Sequence, residues 1–331
     1  MLSVSRLTTR YQPRGVADDE AVTLVNEVSF TIARGEILGM VGESGSGKSM
    51  TANSIMGLLD PPARVTAGEI MLTDRTGKQW DLRHADAATL RSLRGNRIAM
   101  VFQDPSTALN PVLRIDTQMI EAIRAHASVS RAAARERACA MLARMGIASP
   151  EARLRAYPHQ LSGGMRQRVA IAIALLNAPD VIIADEPTTA LDVSIQGQIL
   201  AEIQALCRES GTALLWITHD LSVVAGLADR VCVMYAGRII ESGPVGEVLT
   251  APQHPYTAGL IASSPANPAG GPLQPIPGAA PSLAALPPGC AFQPRCAYAT
   301  AQCEVPPPET RGPDARMWRC IHPLQAGGVD G

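Results

Sequence analysis

A glycine-rich octapeptide constrains the fold of this 331-residue chain more than any other feature. Residues 42–49 read GESGSGKS and match the pattern G-x-x-x-x-G-K-[ST]. The apolar run 37–41 precedes them and predicts a buried strand, and a helix is expected to begin at Lys48. Glycines let successive backbone N–H groups converge on phosphate oxygens at a helix N-terminus. The sequence therefore predicts a phosphate-binding loop between this strand and this helix.

The positions of the loop have separate expected roles. Lys48 is expected to reach the β- and γ-phosphates of a nucleotide, and the Ser49 hydroxyl is expected to bind Mg²⁺. Five other loop positions are expected to surround the phosphates, and they are Gly42, Ser44, Gly45, Ser46 and Gly47.

Two adjacent carboxylates supply the second half of the expected site. Residues 181–184 (VIIA) predict a buried strand, and Asp185 and Glu186 follow it. Asp185 suits the Mg²⁺ shell, directly or through water, whereas Glu186 suits the orientation and deprotonation of an attacking water. Carboxylates at strand ends are common caps in other proteins, so this assignment depends on the phosphate loop.

The rest of the chain alternates between two kinds of pattern. Apolar runs predict strands and helical spacing predicts helices, the strands at 22–32, 97–102 and 213–218 and the helices at 130–145, 165–177 and 193–209. This alternation predicts a layered α/β domain. No apolar run approaches the roughly 18–20 residues of a membrane-spanning helix, and the N-terminus lacks the pattern of a secretory signal. A formal net charge of −1 does not favour a nucleic-acid-coating surface.

Residues 161–168, LSGGMRQR, resemble the signature motif of the ATP-binding cassette (ABC) family, with Met165 in place of the usual glutamine. Physically, Ser162, Gly163 and Gly164 just before a helix form a second anion site, made of a hydroxyl and N–H groups. In the family this site faces the nucleotide bound by another subunit. The resemblance therefore implies that hydrolysis requires two cassettes.

Other family landmarks follow in order. Gln103 resembles the Q-loop glutamine, which contacts Mg²⁺ and water, and Asp192 resembles the D-loop aspartate, which helps couple the two sites. His219 resembles the switch histidine, which contacts the γ-phosphate. Tyr11 stands where the family places an aromatic ring that stacks on adenine, although a lone tyrosine is often a packing residue. The resemblance makes Glu186, His219, Gln103 and Lys48 the catalytic set.

The resemblance covers about residues 1–250. It implies a P-loop nucleotide-binding domain with a mixed-sheet core, an antiparallel β subdomain and a helical subdomain at about 104–178. Residues 251–331 form a second region, in which 16 of the 26 prolines fall. Its segment 253–260, QHPYTAGL, resembles the HPY segment of dipeptide, oligopeptide and nickel importer ATPases, to which the resemblance gives a docking role.

The C-terminal region also holds four cysteines with the spacing C-x₅-C-x₆-C-x₁₆-C, namely Cys290, Cys296, Cys303 and Cys320. A reducing cytosol disfavours disulfides, and structural zinc sites usually show tighter C-x₂₋₄-C pairs. A [4Fe–4S] cluster, a zinc ion and free thiols remain the alternatives. The resemblance to peptide-importer ATPases implies the cluster, as a staple for a region with few apolar residues, with redox sensing as the alternative role.

Together these motifs imply the ATP-hydrolysing subunit of an importer of di- or oligopeptides, with ATP and Mg²⁺ at its site. The implied partners are a second ABC ATPase, a different chain more readily than a second copy, and two permease subunits that receive peptide from an extracytoplasmic binding protein. The implied location is the cytoplasmic face of the membrane, as a peripheral protein that binds no nucleic acid. Nickel or another small solute is an alternative cargo, and a soluble ABC protein of DNA repair or translation is an alternative class.

Overall fold

The computed structural model describes residues 1–18, 20–104, 108–188, 193–265 and 272–324. Its strands form two sheets and run over β1 Leu2–Tyr11, β2 Val22–Ile32, β3 Ile37–Val41, β4 Ala63–Thr73, β5 Gln79–Asp81, β6 Ile98–Val101, β7 Val181–Asp185, β8 Ala213–Thr218, β9 Arg230–Tyr235, β10 Arg238–Pro244, β11 Thr310–Arg311 and β12 Met317–Trp318. The α-helices run over Lys48–Met56, Ala87–Leu93, Ile115–Arg124, Arg131–Arg144, Pro150–Leu154, Gly163–Leu175, Val193–Ser210, Leu221–Leu227, Val245–Thr250 and Pro255–Ala262.

The larger sheet has eight strands in the order β11-β12-β10-β9-β3-β8-β7-β6. Strands β6, β7, β8, β3 and β9 are parallel, whereas β10, β12 and β11 continue the sheet in antiparallel pairs. Every residue of β3, β7 and β8 is buried, as expected for parallel strands covered on both faces. The predicted strands and the layered α/β class are confirmed.

The smaller sheet is antiparallel, with the order β2-β1-β4-β5. Alternate residues of its strands point into a core shared with one face of the larger sheet, where Leu2, Ile70 and Leu215 are buried. Of its strands, β2 agrees with the predicted strand at 22–32, whereas β1, β4 and β5 were not predicted. This sheet is the expected antiparallel β subdomain.

Helices from the predicted helical segment cover the other face of the larger sheet. The helix Ile115–Arg124 turns buried isoleucines toward the helices Arg131–Arg144 and Gly163–Leu175. Ser130 caps the second of these helices, because its hydroxyl accepts the Ala133 N–H at 3.1 Å. The helix that carries the LSGG motif is thus fixed to the sheet by apolar packing.

The C-terminal region is joined to the larger sheet by β12, which pairs with β10 through Glu241 opposite Trp318 and Ser242 opposite Met317. Tyr256 and Phe292 are buried in one core with residues of β9 and β10. The region therefore shares the core of the first 250 residues, and the division of the chain at residue 250 stays a prediction.

Candidate functional site

The phosphate loop lies between β3 and the helix Lys48–Met56, as predicted. Gly47 caps this helix with a left-handed backbone, φ 104°. A Cβ atom on Gly42 would lie 2.2 Å from the carbonyl oxygen of Met234, so the neighbouring strand β9 leaves room for glycine alone. The Lys48 Nζ donates to the carbonyl oxygens of Gly42 at 2.7 Å and of Glu43 at 3.0 Å. Burial lowers the pKa of Lys48, against the carboxylates of Glu186, Asp185 and Glu43.

The expected magnesium ligands meet at the start of this helix. The Ser49 hydroxyl donates to Asp185 Oδ1 at 3.0 Å, and Asp185 is buried at the end of β7. Burial raises the pKa of Asp185, and the Ser49 hydroxyl and the Lys48 charge oppose that rise. A hydroxyl and a carboxylate at one point match the hard oxygen ligands that Mg²⁺ takes beside nucleotide phosphates.

Glu186 contacts two of the three other expected catalytic groups. Its Oε2 accepts from Gln103 Nε2 at 3.3 Å and lies 3.2 Å from His219 Nδ1. Its backbone has φ 46°, a left-handed conformation that is uncommon outside glycine, and its N–H donates to the Ile217 carbonyl at 2.9 Å. Such strain persists where the surrounding structure fixes it, and here it aims the carboxylate at the cavity.

Most of these residues line one open cavity of about 540 Å³, whereas Gly42, Ser46 and Asp185 lie next to lining residues and do not line it themselves. From the predicted site it is lined by Ser44, Gly45, Gly47, Lys48, Ser49, Gln103, Glu186 and His219. Met50 and Leu283 complete the lining, and Leu283 comes from the C-terminal region. Sequence reasoning missed Leu283, since no motif surrounds it.

Ser162, Gly163 and Gly164 do not line this cavity. Ser162 is exposed and caps the helix Gly163–Leu175, with its hydroxyl accepting the Met165 N–H at 3.3 Å. The predicted hydroxyl at a helix N-terminus is therefore present. Its contact with a nucleotide stays a prediction.

Tyr11, another predicted residue, does not line this cavity either. Tyr11 ends β1, is 43% exposed and pairs with Val22 and Ala63. Its stacking on adenine stays a prediction. Asp192 lies outside the described residues.

The HPY segment contacts the phosphate loop directly, which sequence reasoning did not foresee. The Glu43 N–H donates to the Tyr256 hydroxyl at 2.9 Å, and the Glu43 carboxylate forms a bidentate ion pair with Arg295. The sequence signal that could have identified Arg295 is its position directly before Cys296, one of the four predicted ligands. The C-terminal region is therefore attached to the ATP site of its own chain.

The four predicted cysteines surround one small cavity, which Cys290, Cys296, Cys303 and Cys320 line together with His254, Phe292 and His322. Burial raises the pKa of the Cys290 and Cys296 thiols and raises that of Cys320 to about 11. His322 Nε2 lies 2.7 Å from the Thr300 hydroxyl. Among the described residues no group of three or more His, Cys, Asp or Glu side chains has a spacing that holds a single metal ion.

Comparisons with known proteins agree with both the ATP-binding part and the C-terminal region. A family model described as ABC transporter matches residues 25–189, and one described as oligopeptide/dipeptide transporter, C-terminal region, matches residues 240–303. The dipeptide transport ATP-binding protein of Bacillus subtilis is 46% identical over 323 residues, which cover 97% of this chain and 94% of that protein. The oligopeptide transport ATP-binding protein of Salmonella typhimurium is 45% identical over 308 residues, which cover 93% of this chain and 90% of that protein.

A solved structure agrees as well. The ATP-binding cassette MJ0796, a dimer in a post-hydrolysis state bound to ADP and phosphate, superposes with a TM-score of 0.64 at 29% identity, covering 74% of this chain and 99% of that one. Within the described part of the chain no helix has the length and apolar character to cross a bilayer. The fold, the cavity and relatives of this identity over nearly the whole length lead to one conclusion: the chain belongs to the ABC transporter family, among the ATP-binding proteins that carry the oligopeptide/dipeptide transporter C-terminal region.

Proposed function

We propose that this chain is the ATP-hydrolysing subunit of an importer of di- and oligopeptides. One observation carries the proposal: Glu186 is held between Gln103 and His219 beside the Lys48 and Ser49 phosphate loop, on a chain that also has the C-terminal region of peptide transporters. Relatives named for dipeptide and oligopeptide transport support the same cargo class.

We assign a step of the proposed reaction to each side chain. Lys48 and the backbone of the loop would bind the β- and γ-phosphates, and Ser49 and Asp185 would hold Mg²⁺, which would neutralise charge on phosphate oxygens. Glu186 orients a water for in-line attack on the γ-phosphorus and accepts its proton. His219 and Gln103 contact the Glu186 carboxylate and fix its direction. Most of the acceleration is electrostatic stabilisation and positioning.

The exposed LSGG motif supports a facing partner. Ser162, Gly163 and Gly164 would bind the γ-phosphate of a nucleotide held by a second ATPase subunit, so the active form is a dimer of cassettes. We favour a different chain as that second subunit over another copy of this one. Asp192 and Gln103 would relay the nucleotide state to the partner and to two permease subunits. The chain would then act at the cytoplasmic face of the membrane, and the extracytoplasmic binding protein would meet the permease instead.

Reconstitution with the permease pair and the second ATPase in liposomes tests this function. Peptide-loaded binding protein should stimulate ATP hydrolysis and drive uptake of labelled dipeptide or oligopeptide. Glu186→Gln should abolish uptake and hydrolysis at this site while MgATP still binds, whereas Glu69→Gln, at an exposed carboxylate on β4, should leave both unchanged. Uptake of nickel without peptide would assign the cargo to the alternative class, and unchanged hydrolysis in Glu186→Gln would refute the role of that carboxylate.

We propose further that the four cysteines hold a [4Fe–4S] cluster. Structural zinc sites usually have tighter C-x₂₋₄-C pairs than the spacing of these four cysteines. A cluster binds four thiolates at separate irons, so its ligands only need to surround a common space. The four side chains do line one small cavity. Binding there would hold together a region that is rich in proline and poor in regular structure.

Anaerobic purification followed by iron and sulfide analysis tests the cluster. Iron and acid-labile sulfide should be present in equal amounts, should disappear in Cys303→Ser, and should remain in Cys139→Ser, a half-buried cysteine of the helix Arg131–Arg144. If the cluster is a structural staple, its loss should lower the unfolding temperature. Zinc without iron, or no metal at all, would contradict the cluster.

A further inference from the structure

Glu43, the second residue of the phosphate loop, is held from three sides. Its N–H donates to the Tyr256 hydroxyl at 2.9 Å, and its carbonyl oxygen accepts from Lys48 Nζ at 3.0 Å. Its two carboxylate oxygens accept from Arg295, at 2.6 Å from Nη1 and 2.9 Å from Nη2. Two of these three attachments come from the C-terminal region.

The Arg295 guanidinium is fixed in one orientation. Its Nε donates to the Pro277 carbonyl at 2.8 Å, and its Nη1 also donates to the Tyr235 hydroxyl at 3.3 Å. The rings of Tyr235 and Phe292 lie 5.9 and 5.8 Å from the guanidinium carbon. The Arg295 side chain is 5% exposed and that of Glu43 is 30% exposed. Bidentate, charge-assisted hydrogen bonds of this kind are the strong ones in proteins.

The segment that carries Arg295 is bounded by two of the cysteines. Arg295 ends the 3₁₀ helix Gln293–Arg295 and directly precedes Cys296. Cys290, five residues before Arg295, donates its N–H to the Cys303 carbonyl at 2.8 Å. Phe292 packs against the guanidinium and also lines the cysteine cavity. Arg295 and two of the cysteines therefore lie on one short stretch of backbone.

We propose that Arg295 is a positioning residue for the nucleotide: it neutralises Glu43 beside the bound phosphates, and through it the four-cysteine site sets the ATP affinity of the phosphate loop. The coupling to the cysteines rests on the proposed function in one respect: the group that the four cysteines bind is taken to be the [4Fe–4S] cluster proposed above. The ion pair itself does not depend on that identity.

Charge gives the sign of the effect. Glu43 adjoins Ser44, which lines the ATP cavity, and a free carboxylate there repels a polyanion. Arg295 cancels that charge and holds the carboxylate on the side of the C-terminal region. Removing Arg295 should therefore weaken ATP binding only while Glu43 keeps its charge.

A double-mutant cycle on the full chain tests this, with the dissociation constant for a fluorescent ATP analogue as the readout. Arg295→Met should weaken binding roughly 5- to 20-fold, within the usual range of coupling between sites. In the Glu43→Gln background the same change should alter binding by less than about twofold. Arg295→Lys keeps the charge and should recover most of the affinity, and Arg311→Met, at an arginine that is 81% exposed, is the matched control. A purely structural role predicts equal losses in both backgrounds, and that result would overturn the proposal.

The cysteine arm uses the same readout. Cys296→Ser should change the affinity several-fold in the wild-type background and by less than about twofold beside Glu43→Gln. Equal changes in both backgrounds, or none in either, would refute the coupling. Iron content, measured on the same samples, reports on the cluster separately, and peptide uptake reports on the transport function, so each failure is distinguishable from the others.

Discussion

A buried ion pair joins Arg316, just before β12, to Glu241 on β10. The Glu241 side chain is fully buried, and its oxygens accept the Gln253 N–H at 2.8 Å, the His254 N–H at 2.9 Å and the Arg316 Nη2 at 3.0 Å. Arg316 Nη2 also donates to the Ala251 carbonyl at 2.6 Å. Arg316→Met would keep the stem of the side chain and remove the charge.

The expected loss is large for a single substitution. Removing one partner of a buried pair typically costs about 3–5 kcal/mol, because a charge is left without compensation. The two backbone N–H groups still solvate Glu241, so we expect a loss near the lower limit, about 3 kcal/mol in the free energy of unfolding. That loss corresponds to a change of roughly a hundredfold in the folding equilibrium.

The loss should depend on pH. Burial raises the pKa of Glu241 above its ordinary value of 4.5, and the Arg316 charge is one of the influences that oppose the rise. In Arg316→Met the pKa rises further, so the folded state binds more protons than the unfolded state. Stability then falls as pH rises from 4.5 through the raised folded pKa. The deficit relative to wild type should be largest above that pKa and should shrink as pH approaches 4.5.

Urea unfolding at several pH values measures this deficit, with the slope of the transition as a check that the same surface unfolds. Arg311→Met is the control, since its side chain is 81% exposed and pairs with Glu309 at the surface. The control should cost less than about 1 kcal/mol. Equal losses for the two variants, or a deficit that does not change with pH, would refute the reasoning.

Three further variants probe the ATP site. Lys48→Ala should abolish MgATP binding, measured by nucleotide titration, while circular dichroism stays unchanged; retained affinity would argue against its phosphate contact. His219→Ala should lower the turnover of the assembled transporter by roughly a hundredfold at saturating ATP, and an unchanged rate would remove it from the catalytic set. Gly42→Ala places a Cβ atom 2.2 Å from the Met234 carbonyl oxygen and should lower the unfolding temperature and nucleotide affinity together; a wild-type profile would contradict the close packing.

The parts of the site that sequence predicted are those whose spacing is local. The phosphate loop needs its glycines, lysine and serine consecutively, and Asp185 and Glu186 must end one buried strand. Parallel strands then bring these ends together at one edge of the sheet, along with His219 after β8. Short apolar runs likewise predicted β3, β7 and β8, because a strand that is buried on both faces has apolar residues at nearly every position.

The contacts that sequence could not predict join positions far apart in the chain. Glu43 and Arg295 are 252 residues apart, and each looks like an ordinary surface charge in its own segment. The left-handed backbone of Glu186 has no signature, since the residue type does not favour it. β12 is two residues long, too short for a periodic pattern, and it exists because β10 offers a free edge.

The His254-Pro255-Tyr256 triplet acquires a physical meaning from these contacts. His254 Nδ1 accepts the Tyr256 N–H at 3.0 Å and so caps the helix Pro255–Ala262, while Pro255 at the first helical position has no N–H to satisfy. Tyr256 then turns its hydroxyl to the phosphate loop. Capping through Nδ1 requires a neutral ring, and complete burial lowers the pKa of His254 to about 3.

This histidine should make the attachment insensitive to pH near neutrality and sensitive in acid. Its folded pKa lies below the ordinary 6.5, so the folded state binds fewer protons there, and the stabilisation that is complete above 6.5 is lost as pH falls toward 3. Within this window the loss is up to about 1.4 kcal/mol per pH unit. His254→Asn keeps an oxygen that can cap the helix and removes the titrating ring. The free energy of unfolding of this variant should therefore fall less steeply with decreasing pH than that of the wild type. The smaller side chain also costs stability at pH 7, but that cost does not change the slope. Denaturant unfolding of both proteins from pH 4 to 7 measures the two slopes, and parallel slopes would show that His254 is not the group that titrates.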